Sequence, residues 1–435
     1  NKLTDDLLIQ KIMNNKFVLS IIGLGYVGLP LAVEFGKKFK TIGFDISNTK
    51  IKKLKKNIDL NKEISKYQIS KSKFLKFTNI DKDIKNSSIK IIAVPTPINK
   101  KNKPDLTLIR NATKIVSLNL KKGDLVIYES TVYPGVTENI CVKLLEKFSK
   151  LKWKKDFNVG YSPERINPGD KNHRLKDIKK VTSGSNEEAL NWIDDFYGSF
   201  IQAGTFKAKS IKVAEAAKII ENTQRDINIA FVNEVMMLSK ALNINSYEVL
   251  EAAKTKWNFL NFRPGLVGGH CIGVDPYYLT YKSKLGGYYP DMISTSRRIN
   301  DNMSNWISEL IINNLITKNL KILEQNILLL GLSFKADTND IRNSKVFEVY
   351  NKLHNLGVKC DVFDPYIESK TKDVKSINLI EELPKNKYYT CAVVLVDHKL
   401  FKSWENRQWQ DLIKEDGFII DLHGIVPKEL KAIII

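Results

Sequence analysis

The segment FVLSIIGLGYVGLPLAVEFG, residues 17–36, determines the predicted architecture of the first part of this 435-residue chain. Phe17–Ile22 predicts a short apolar strand, Gly23–Gly28 has the spacing G-x-G-x-x-G, and Leu29–Lys38 has the apolar periodicity of a helix. A second predicted strand ends at Asp45, about twenty residues beyond the first glycine. This order of strand, turn, helix, strand and acid predicts one β-α-β unit of a doubly wound parallel sheet.

The glycines and the acid match the chemistry of a dinucleotide. Gly23 permits a tight turn, Gly25 lets the backbone approach a pyrophosphate, and Gly28 lets the helix pack closely on the strand. The helix N-terminus offers N–H groups and a positive dipole to phosphates. The carboxylate of Asp45 can accept the hydroxyls of the adenosine ribose, and the absence of a following arginine favours NAD over NADP. The alternative is a glycine turn that binds no cofactor.

The same segment also resembles a membrane signal, because it is largely apolar and follows Lys11 and Lys16. Four glycines, Pro30 and Glu34 argue against a membrane span, and the run continues into an amphipathic pattern instead of a cleavage site. We therefore expect no membrane insertion.

The composition predicts two or three globular domains. Hydrophobic residues make up 43% and charged residues 27% of the chain, which is typical of a folded protein. The cysteines lack metal-ligand spacing, so we expect no metal site and interpret Cys141, Cys360 and Cys391 as core residues. The net charge of +21 raises nucleic-acid binding as an alternative, but the lysines spread from Lys2 to Lys431 without an aromatic platform. Positive clefts for anionic small molecules are the favoured interpretation.

Three more predicted strands each run into a polar or turn-forming sequence. They are Ile89–Val94 before PTP, Leu125–Glu129 before ST, and Phe157–Tyr161 before SPE. Because parallel strands deliver their loops to the ligand crevice at their carboxyl ends, Thr131 and Glu164 are candidates for the reaction centre. A helix cap or a loop hydrogen bond is the alternative for either residue alone.

Residues 207–243 lack glycine and proline and keep apolar residues at three- and four-residue spacing, which predicts a long helix between domains. Lys218 and Asn222 are four residues apart and share one face of this helix. That face either borders buried surface or is a solvated salt-bridge face with Glu215 or Glu221 as partners.

A second nucleotide-fold pattern begins after residue 320. A predicted strand at Asn326–Leu330 leads into a Gly-Leu turn, a helix over Val346–Leu356 and a strand that ends at Asp364, without a complete G-x-G-x-x-G. We therefore predict an α/β fold with two Rossmann-like doubly wound parallel-sheet domains joined by a long central helix and a helical region. The predicted domains are residues 1–205, 206–318 and 319–435.

The stretch GGHCIGVDPYY places Cys271 in a glycine-rich loop that can pass close to a ligand. Asp275 is predicted to cap the helix that follows. A thiol beside a cofactor crevice is a nucleophile candidate, and a cation such as Lys218 favours its thiolate. The neighbouring His270 either forms a Cys-His dyad or shapes the loop.

Seven stretches together resemble the UDP-glucose/GDP-mannose dehydrogenase family, in the family's order and across nearly the whole chain. They are GLGYVGLPLA, PTP, ESTVYPG, SPERINPG, AEAAKIIENTQRDINIAFVNE, FRPGLVGGHCIGVDPYYL and GLSFKADTNDIRNS. The resemblance implies a cytoplasmic enzyme that oxidises the C6 alcohol of a nucleotide sugar to a carboxylate with two NAD+.

The cysteine loop is the part that bears on the sugar. The run GGHCIGVDP departs from the Gly-Gly-Ser/Pro-Cys-Phe motif of UDP-glucose enzymes. It is similar to enzymes of capsule and O-antigen pathways that act on UDP-N-acetylglucosamine or UDP-N-acetylgalactosamine, with UDP-N-acetylmannosamine and UDP-glucose as alternatives.

The resemblance implies a role for each candidate catalytic residue. Cys271 traps the intermediate aldehyde as a thiohemiacetal that is oxidised to a thioester, while Lys218 and Asn222 donate to the developing oxyanion. Asp275 and Thr131 orient the water or the proton path.

Glu164 acts as general base. The resemblance implies NAD contacts for Gly23, Gly25, Tyr26, Val27, Gly28, Asp45, Pro95, Thr96, Ser130, Thr131 and Arg342. It implies contacts with the sugar nucleotide for Glu164, Arg165, Lys218, Asn222, Arg263, Gly268 and Lys335.

A homodimer or higher homo-oligomer is also implied. A single-step NAD-dependent hydroxyacid dehydrogenase and a binding module without turnover are the alternatives that the residues leave open.

Overall fold

The computed structural model describes residues 17–61, 63–165, 175–269, 272–368, 374–384 and 386–434. The chain forms two compact units. The first runs to Glu221 and includes Tyr277–Gly286, and the second comprises Asn222–Pro276 and the chain from Gly287 onward. The described residues of each unit contain one sheet.

The first unit is built on an eight-stranded sheet. In chain order its strands are β1 Val18–Ile22, β2 Lys40–Phe44, β3 Leu75–Thr78, β4 Ile89–Ile92, β5 Asp124–Tyr128, β6 Phe157–Tyr161, β7 Lys180–Gly184 and β8 Thr205–Lys207. Their spatial order is β3-β2-β1-β4-β5-β6-β7-β8. All neighbouring pairs are parallel except β6 and β7, which pair antiparallel. The predicted doubly wound parallel sheet is confirmed, and the antiparallel β6–β7 pair is a departure that the sequence did not predict, because the apolar pattern of a single strand does not encode its direction.

Six helices lie between the strands of the first unit in the described part of the chain. They are α1 Gly28–Phe35, α2 Asn48–Leu54, α3 Lys66–Ser70, α4 Thr107–Leu118, α5 Val142–Ser149, which continues a π-helical turn at Thr137–Cys141, and α6 Glu187–Gly198. Every residue of β4 and β5 is buried, as expected for strands with helices on both faces. Even Lys90 is buried, and its ammonium lies 2.6 Å from the carboxylate of Asp124.

The next helices along the described residues are α7 Ile211–Ala241, α8 Ser246–Lys254, α9 Asp275–Leu285 and α10 Asp291–Thr317. The long predicted helix is confirmed as α7, although it begins at Ile211 because Thr205–Lys207 forms β8. Helix α9 begins at Asp275 itself. The prediction that Asp275 precedes and caps this helix is therefore wrong by one position, and its carboxylate binds the side chain of Asn222.

The second unit contains a parallel five-stranded sheet in the order β10-β9-β11-β12-β13. Its strands are β9 Asn326–Leu330, β10 Lys359–Phe363, β11 Tyr389–Val394, β12 Ile413–Asp421 and β13 Ile433–Ile434. Its further helices are α11 Val346–Asn355, α12 Lys399–Lys402 and α13 Asn406–Leu412. The second nucleotide-fold pattern is thus confirmed.

The three cysteines assigned to the core are buried and free. Burial raises the pKa of the Cys141 and Cys360 thiols to about 12, which makes them poor nucleophiles. Within the described ranges, no cluster of His, Cys, Asp and Glu has the arrangement of a metal site. In the same part of the chain, no helix is both long and apolar enough to cross a membrane.

Candidate active site

The glycine turn between β1 and α1 has the geometry that a dinucleotide needs. Gly23 has φ +94°, and a Cβ there would lie 2.8 Å from a methyl carbon of Val94. A Cβ on Gly28 would lie 1.8 Å from the carbonyl oxygen of Gly23. The turn itself therefore requires these two glycines. Nothing lies within 4 Å of the Cβ position of Gly25, so the backbone there is open to a ligand.

The first turn of α1 suits an anion. Its N-cap residue, Val27, makes no side-chain capping hydrogen bond, and the turn contains no acidic residue. The Leu29 N–H donates to the Gly25 carbonyl at 3.1 Å and Pro30 has no N–H, so the positive end of the helix dipole is what favours an anion at this turn. Tyr26, like Val27, is half-buried beside this turn.

Asp45 directly follows β2 and has a buried carboxylate. This carboxylate accepts hydrogen bonds from the Leu24 N–H at 3.0 Å, the Ser47 N–H at 2.9 Å and the Lys50 ammonium at 2.7 Å. It is therefore held in one orientation against the glycine turn. The sequence analysis missed Lys50, although its place in the first turn of α2 was a usable signal.

Side-chain hydroxyls connect the loops that follow β4 and β5. The Thr96 hydroxyl donates to the Thr131 carbonyl at 2.6 Å, and the Ser130 hydroxyl donates to the Val94 carbonyl at 2.7 Å. Tyr278, which the sequence analysis did not single out, donates to the Thr96 carbonyl at 2.6 Å. Three of the predicted cofactor residues thus lie together, and Pro95 is exposed beside them.

Glu164 lies near a buried charge network that the sequence analysis missed. Lys180 Nζ is 2.6 Å from the carboxylate of Glu129 and 3.9 Å from that of Glu164. The Tyr197 hydroxyl donates to Glu129, and the Lys180 ammonium lies over the Tyr197 ring. Burial raises the pKa of Glu129, and the nearby Lys180 ammonium opposes that effect. Glu164 is therefore a buried carboxylate in a low-dielectric environment close to the Lys180 ammonium.

Arg165 makes contacts with protein groups. Its guanidinium is 3.0 Å from the Glu221 carboxylate and donates to the Lys179 carbonyl at 2.6 Å. Its backbone N–H donates to Glu164 at 2.6 Å. In this structure Arg165 thus orders the segment around Glu164.

Lys218 is buried, with 8% of its surface exposed, and Glu215 is fully buried. The Glu215 carboxylate accepts hydrogen bonds from the N–H groups of Gly135 at 2.5 Å and Thr137 at 2.9 Å. The other acid considered as a partner, Glu221, binds Arg165. The alternative of a solvated salt-bridge face is therefore wrong, and Lys218 borders buried surface.

In the second unit, Asn222 and Asp275 are direct neighbours. The Asn222 amide donates to the Asp275 carboxylate at 2.5 Å, and Asp275 is buried. An amide nitrogen carries two hydrogens, so this bond also fixes the direction of the second N–H.

The loop before the cysteine packs against the segment at residues 342–343. Gly269 has φ +78° and donates its N–H to the Arg342 carbonyl at 3.1 Å, while the Asn343 amide donates to the Gly269 carbonyl at 3.0 Å. A Cβ on Gly268 would lie 2.8 Å from the Asn343 carbonyl oxygen. Gly268 is thus required for this close packing, and Asn343 is a further residue that the sequence analysis missed.

The remaining predicted residues of the second unit are more open. Lys335 and Arg263 are exposed, and Arg342 binds Asp340 through its Nε at 2.9 Å. Cys271 and His270 lie outside the described residues.

Three family models match the chain in order. The NAD binding domain of the UDP-glucose/GDP-mannose dehydrogenase family matches residues 17–201, its central domain matches residues 212–302, and its UDP binding domain matches residues 328–428.

Relatives of known name match over nearly the whole chain. A UDP-N-acetyl-D-glucosamine 6-dehydrogenase of Salmonella typhi is 48% identical over 412 residues, which cover 94% of this chain and 97% of the relative. An enzyme of the same name from Pseudomonas aeruginosa is 45% identical over 411 residues, with the same coverage. The solved structure of a UDP-D-ManNAc dehydrogenase from Pyrococcus horikoshii has a TM-score of 0.85 at 32% identity, and the match covers 94% of this chain and 96% of that one.

These matches confirm the resemblance, the α/β fold class and NAD as the cofactor. The chain therefore belongs to the UDP-glucose/GDP-mannose dehydrogenase family and is an NAD-dependent nucleotide-sugar dehydrogenase.

Proposed function

We propose that this enzyme oxidises the C6 alcohol of UDP-N-acetylglucosamine or UDP-N-acetylgalactosamine to the uronic acid, for the biosynthesis of a surface polysaccharide in the cytoplasm. The observation that carries the proposal is the identity of 48% and 45% to two UDP-N-acetyl-D-glucosamine 6-dehydrogenases across 94% of the chain. The departure of GGHCIGVDP from the UDP-glucose motif supports the same sugar class.

We propose three functional segments in the chain. Residues 1–205 bind NAD, residues 206–318 carry the nucleophile and the contact between subunits, and residues 319–435 bind the UDP moiety. The order of the three matching family models supports this division.

The residues of the first unit fit NAD. The open backbone at Gly25 and the positive end of the α1 dipole suit the pyrophosphate, and the carboxylate of Asp45 suits the ribose hydroxyls. The loops that carry Thr96, Ser130 and Thr131 are proposed to complete the cofactor site. NAD+, when bound, accepts a hydride in each of two oxidations.

Cys271 is proposed to hold the half-oxidised sugar. Its thiol adds to the C6 aldehyde and gives a thiohemiacetal, the second oxidation converts this adduct to a thioester, and water releases the acid and restores the thiol. Because the sugar stays covalently attached, the cofactor can be exchanged between the two oxidations.

Lys218 and Asn222 are proposed to stabilise the negative charge on the C6 oxygen. The burial of Lys218 supports this role, because an ammonium in a low-dielectric environment interacts strongly with a developing oxyanion. The bond from Asn222 to Asp275 supports a fixed amide direction. The role proposed for Asp275 and Thr131 is to orient the attacking water.

Glu164 is proposed as the general base that activates this water. Its nearly buried carboxylate suits a group that gains and loses a proton during turnover. Lys335, Gly268, Arg263 and Arg165 are the proposed contacts of the sugar nucleotide, and Arg342 is the proposed contact of the NAD pyrophosphate.

A UDP-N-acetylmannosamine dehydrogenase is the second candidate. The Pyrococcus horikoshii enzyme of that name is 34% identical over 401 residues, and its fold matches closely. The lower identity makes this substrate the weaker proposal.

NADH formation with a panel of sugar nucleotides tests the proposal. The panel contains UDP-N-acetylglucosamine, UDP-N-acetylgalactosamine, UDP-N-acetylmannosamine, UDP-glucose and GDP-mannose at equal concentration. We expect the highest kcat/KM with one of the first two. A highest value with UDP-N-acetylmannosamine would favour the second candidate, and one with UDP-glucose or GDP-mannose would exclude both.

We also propose that the chain forms a homodimer or a higher homo-oligomer. Phe231 and Leu238 of α7, seven residues apart, are 54% and 55% exposed, and Leu242 just beyond the helix is 59% exposed. An apolar stripe of this kind is typical of an interface between subunits. Light scattering should give a multiple of the 49.7 kDa chain, and Phe231→Glu should reduce it to a monomer.

A further inference from the structure

His398 is a fully buried histidine of the second unit that the proposed chemistry does not use. It lies between the end of β11 and the start of α12. Its ring packs against Tyr366 and Phe401, with centroid distances of 5.1 and 5.4 Å. Of the two ring nitrogens, Nδ1 faces the loop after β9, and Nε2 faces Asp364, which follows β10.

The hydrogen bonds of His398 define its tautomer. Nδ1 lies 3.0 Å from the backbone nitrogen of Asp337, which can only donate, so Nδ1 accepts. Nε2 lies 3.1 Å from the carboxylate of Asp364, which accepts, so Nε2 carries the proton. The ring is therefore a neutral imidazole that donates on one side and accepts on the other.

Asp364 extends this network to the start of the loop. The same carboxylate oxygen accepts hydrogen bonds from the N–H groups of Leu332 at 2.7 Å and Ser333 at 2.9 Å. Burial alone would raise the pKa of Asp364, but His398 and these two N–H groups lower it. The charged carboxylate thus fixes residues 332–333, and the imidazole fixes residue 337.

Lys335 lies between these two anchors. The Ser333 hydroxyl donates to the Lys335 carbonyl at 2.9 Å, while the Lys335 side chain is exposed. Asp337 has φ +58°, and its carboxylate accepts from the Lys399 N–H at 2.9 Å and the Tyr366 hydroxyl at 3.1 Å. The backbone on both sides of Lys335 is therefore fixed to buried groups, and the ammonium projects from a constrained loop.

We propose that His398 is a positioning residue for the nucleotide site of the second unit, because it holds the loop at residues 332–337 so that Lys335 presents its ammonium to the diphosphate of the sugar nucleotide. This inference rests on the proposed function, in which Lys335 binds the diphosphate. A neutral imidazole can accept from the Asp337 N–H and donate to Asp364 at once, whereas an aliphatic side chain leaves the Asp337 N–H without this acceptor and removes one donor from Asp364.

Four variants separate positioning from simple structural support. His398→Leu removes both hydrogen bonds, and His398→Asn keeps an oxygen that can accept from the Asp337 N–H. Lys335→Ala removes the diphosphate contact, and His354→Leu changes an exposed histidine of the same unit as a control. The dissociation constant of UDP is measured by calorimetry, the KM for NAD by NADH formation, and folding by circular dichroism.

We expect His398→Leu and Lys335→Ala each to weaken UDP binding about tenfold or more, and His398→Asn about threefold, with the KM for NAD unchanged within about twofold. His354→Leu should match the wild type. If His398→Leu does not fold, His398→Asn decides, since a threefold loss confined to UDP supports the inference and wild-type affinity refutes it.

The outcomes distinguish the inference from the function on which it rests. A folded His398→Leu with wild-type UDP affinity, alongside a weakened Lys335→Ala, would overturn the role of His398 alone. An equal loss of UDP and NAD affinity in His398→Leu would also overturn it, because that result indicates general structural damage. Wild-type UDP affinity in Lys335→Ala would reject the proposed diphosphate site and the inference together.

Discussion

Glu215 makes the stability of the first unit depend on pH in a direction that can be measured. Burial raises the pKa of its carboxyl from 4.5 to about 7, against the lowering effect of the N–H groups of Gly135 and Thr137. A carboxyl with a raised pKa in the folded state binds its proton more tightly when folded than when unfolded. Its contribution to stability is thus complete below about pH 4.5 and is lost as the pH rises through about 7.

The size of the effect follows from the two pKa values. The gap of about 2.5 pH units, at about 1.4 kcal/mol for each unit, corresponds to a total of about 3.5 kcal/mol, most of which is lost between pH 4.5 and pH 8. Glu215→Gln replaces the carboxyl with a neutral amide that resembles the protonated acid. The free energy of unfolding of the wild type, relative to Glu215→Gln, should therefore fall by about 3 kcal/mol between pH 4.5 and pH 8.

Urea unfolding followed by circular dichroism at four pH values across this range measures the difference. Glu187→Gln, which changes an exposed carboxylate of the same unit, serves as the control and should show a nearly constant difference. A constant difference for Glu215→Gln would refute the reasoning. If the free energy of unfolding of the wild type, relative to Glu215→Gln, rose with pH instead of falling, the N–H groups of Gly135 and Thr137 would outweigh burial and lower the pKa of Glu215.

Three further variants test separate parts of the molecule. Asp45→Ala should weaken NAD binding at least about tenfold and leave UDP binding nearly unchanged, because the carboxylate is the proposed ribose contact and also orients the glycine turn. Calorimetry with both ligands measures the two affinities, and unchanged NAD affinity would contradict the prediction. Cys271→Ser should abolish formation of the acid, as measured by mass spectrometry of the product, and full acid turnover would exclude the covalent route. Lys180→Met should destabilise the protein by about 3–5 kcal/mol in urea unfolding, because it leaves the buried Glu129 carboxylate without its cation. The double variant with Glu129→Gln should recover part of this loss, and a double variant no more stable than Lys180→Met would argue against the ion pair.

The sequence predicted the elements whose signals are local. The apolar period and the glycine spacing of residues 17–36 predicted β1, the turn and α1, because the positive φ of Gly23 and the contact between Gly28 and the Gly23 carbonyl are local. The absence of glycine and proline from residues 207–243 predicted the helix α7, and the predicted ends lie within a few residues of the observed ones. The repeated pattern of strand, turn and helix predicted the neighbouring strands β9 and β10 of the second sheet.

The features that the sequence did not predict depend on distant contacts. The antiparallel pairing of β6 with β7 is a property of chain direction, which strand periodicity does not contain. Glu215 and Gly135 are 80 residues apart, and His398 and Asp337 are 61 apart. A carboxylate or an imidazole at such positions looks like any surface residue until the fold brings its partners to it.

The stoichiometry of NADH formation is the most direct measurement of the two-step oxidation. With UDP-N-acetylglucosamine limiting and NAD in excess, we expect two NADH for each sugar nucleotide consumed and a carboxylic acid as the product. One NADH for each sugar, with an aldehyde or ketone as the product, would contradict the covalent route through Cys271 and favour a single-step dehydrogenase.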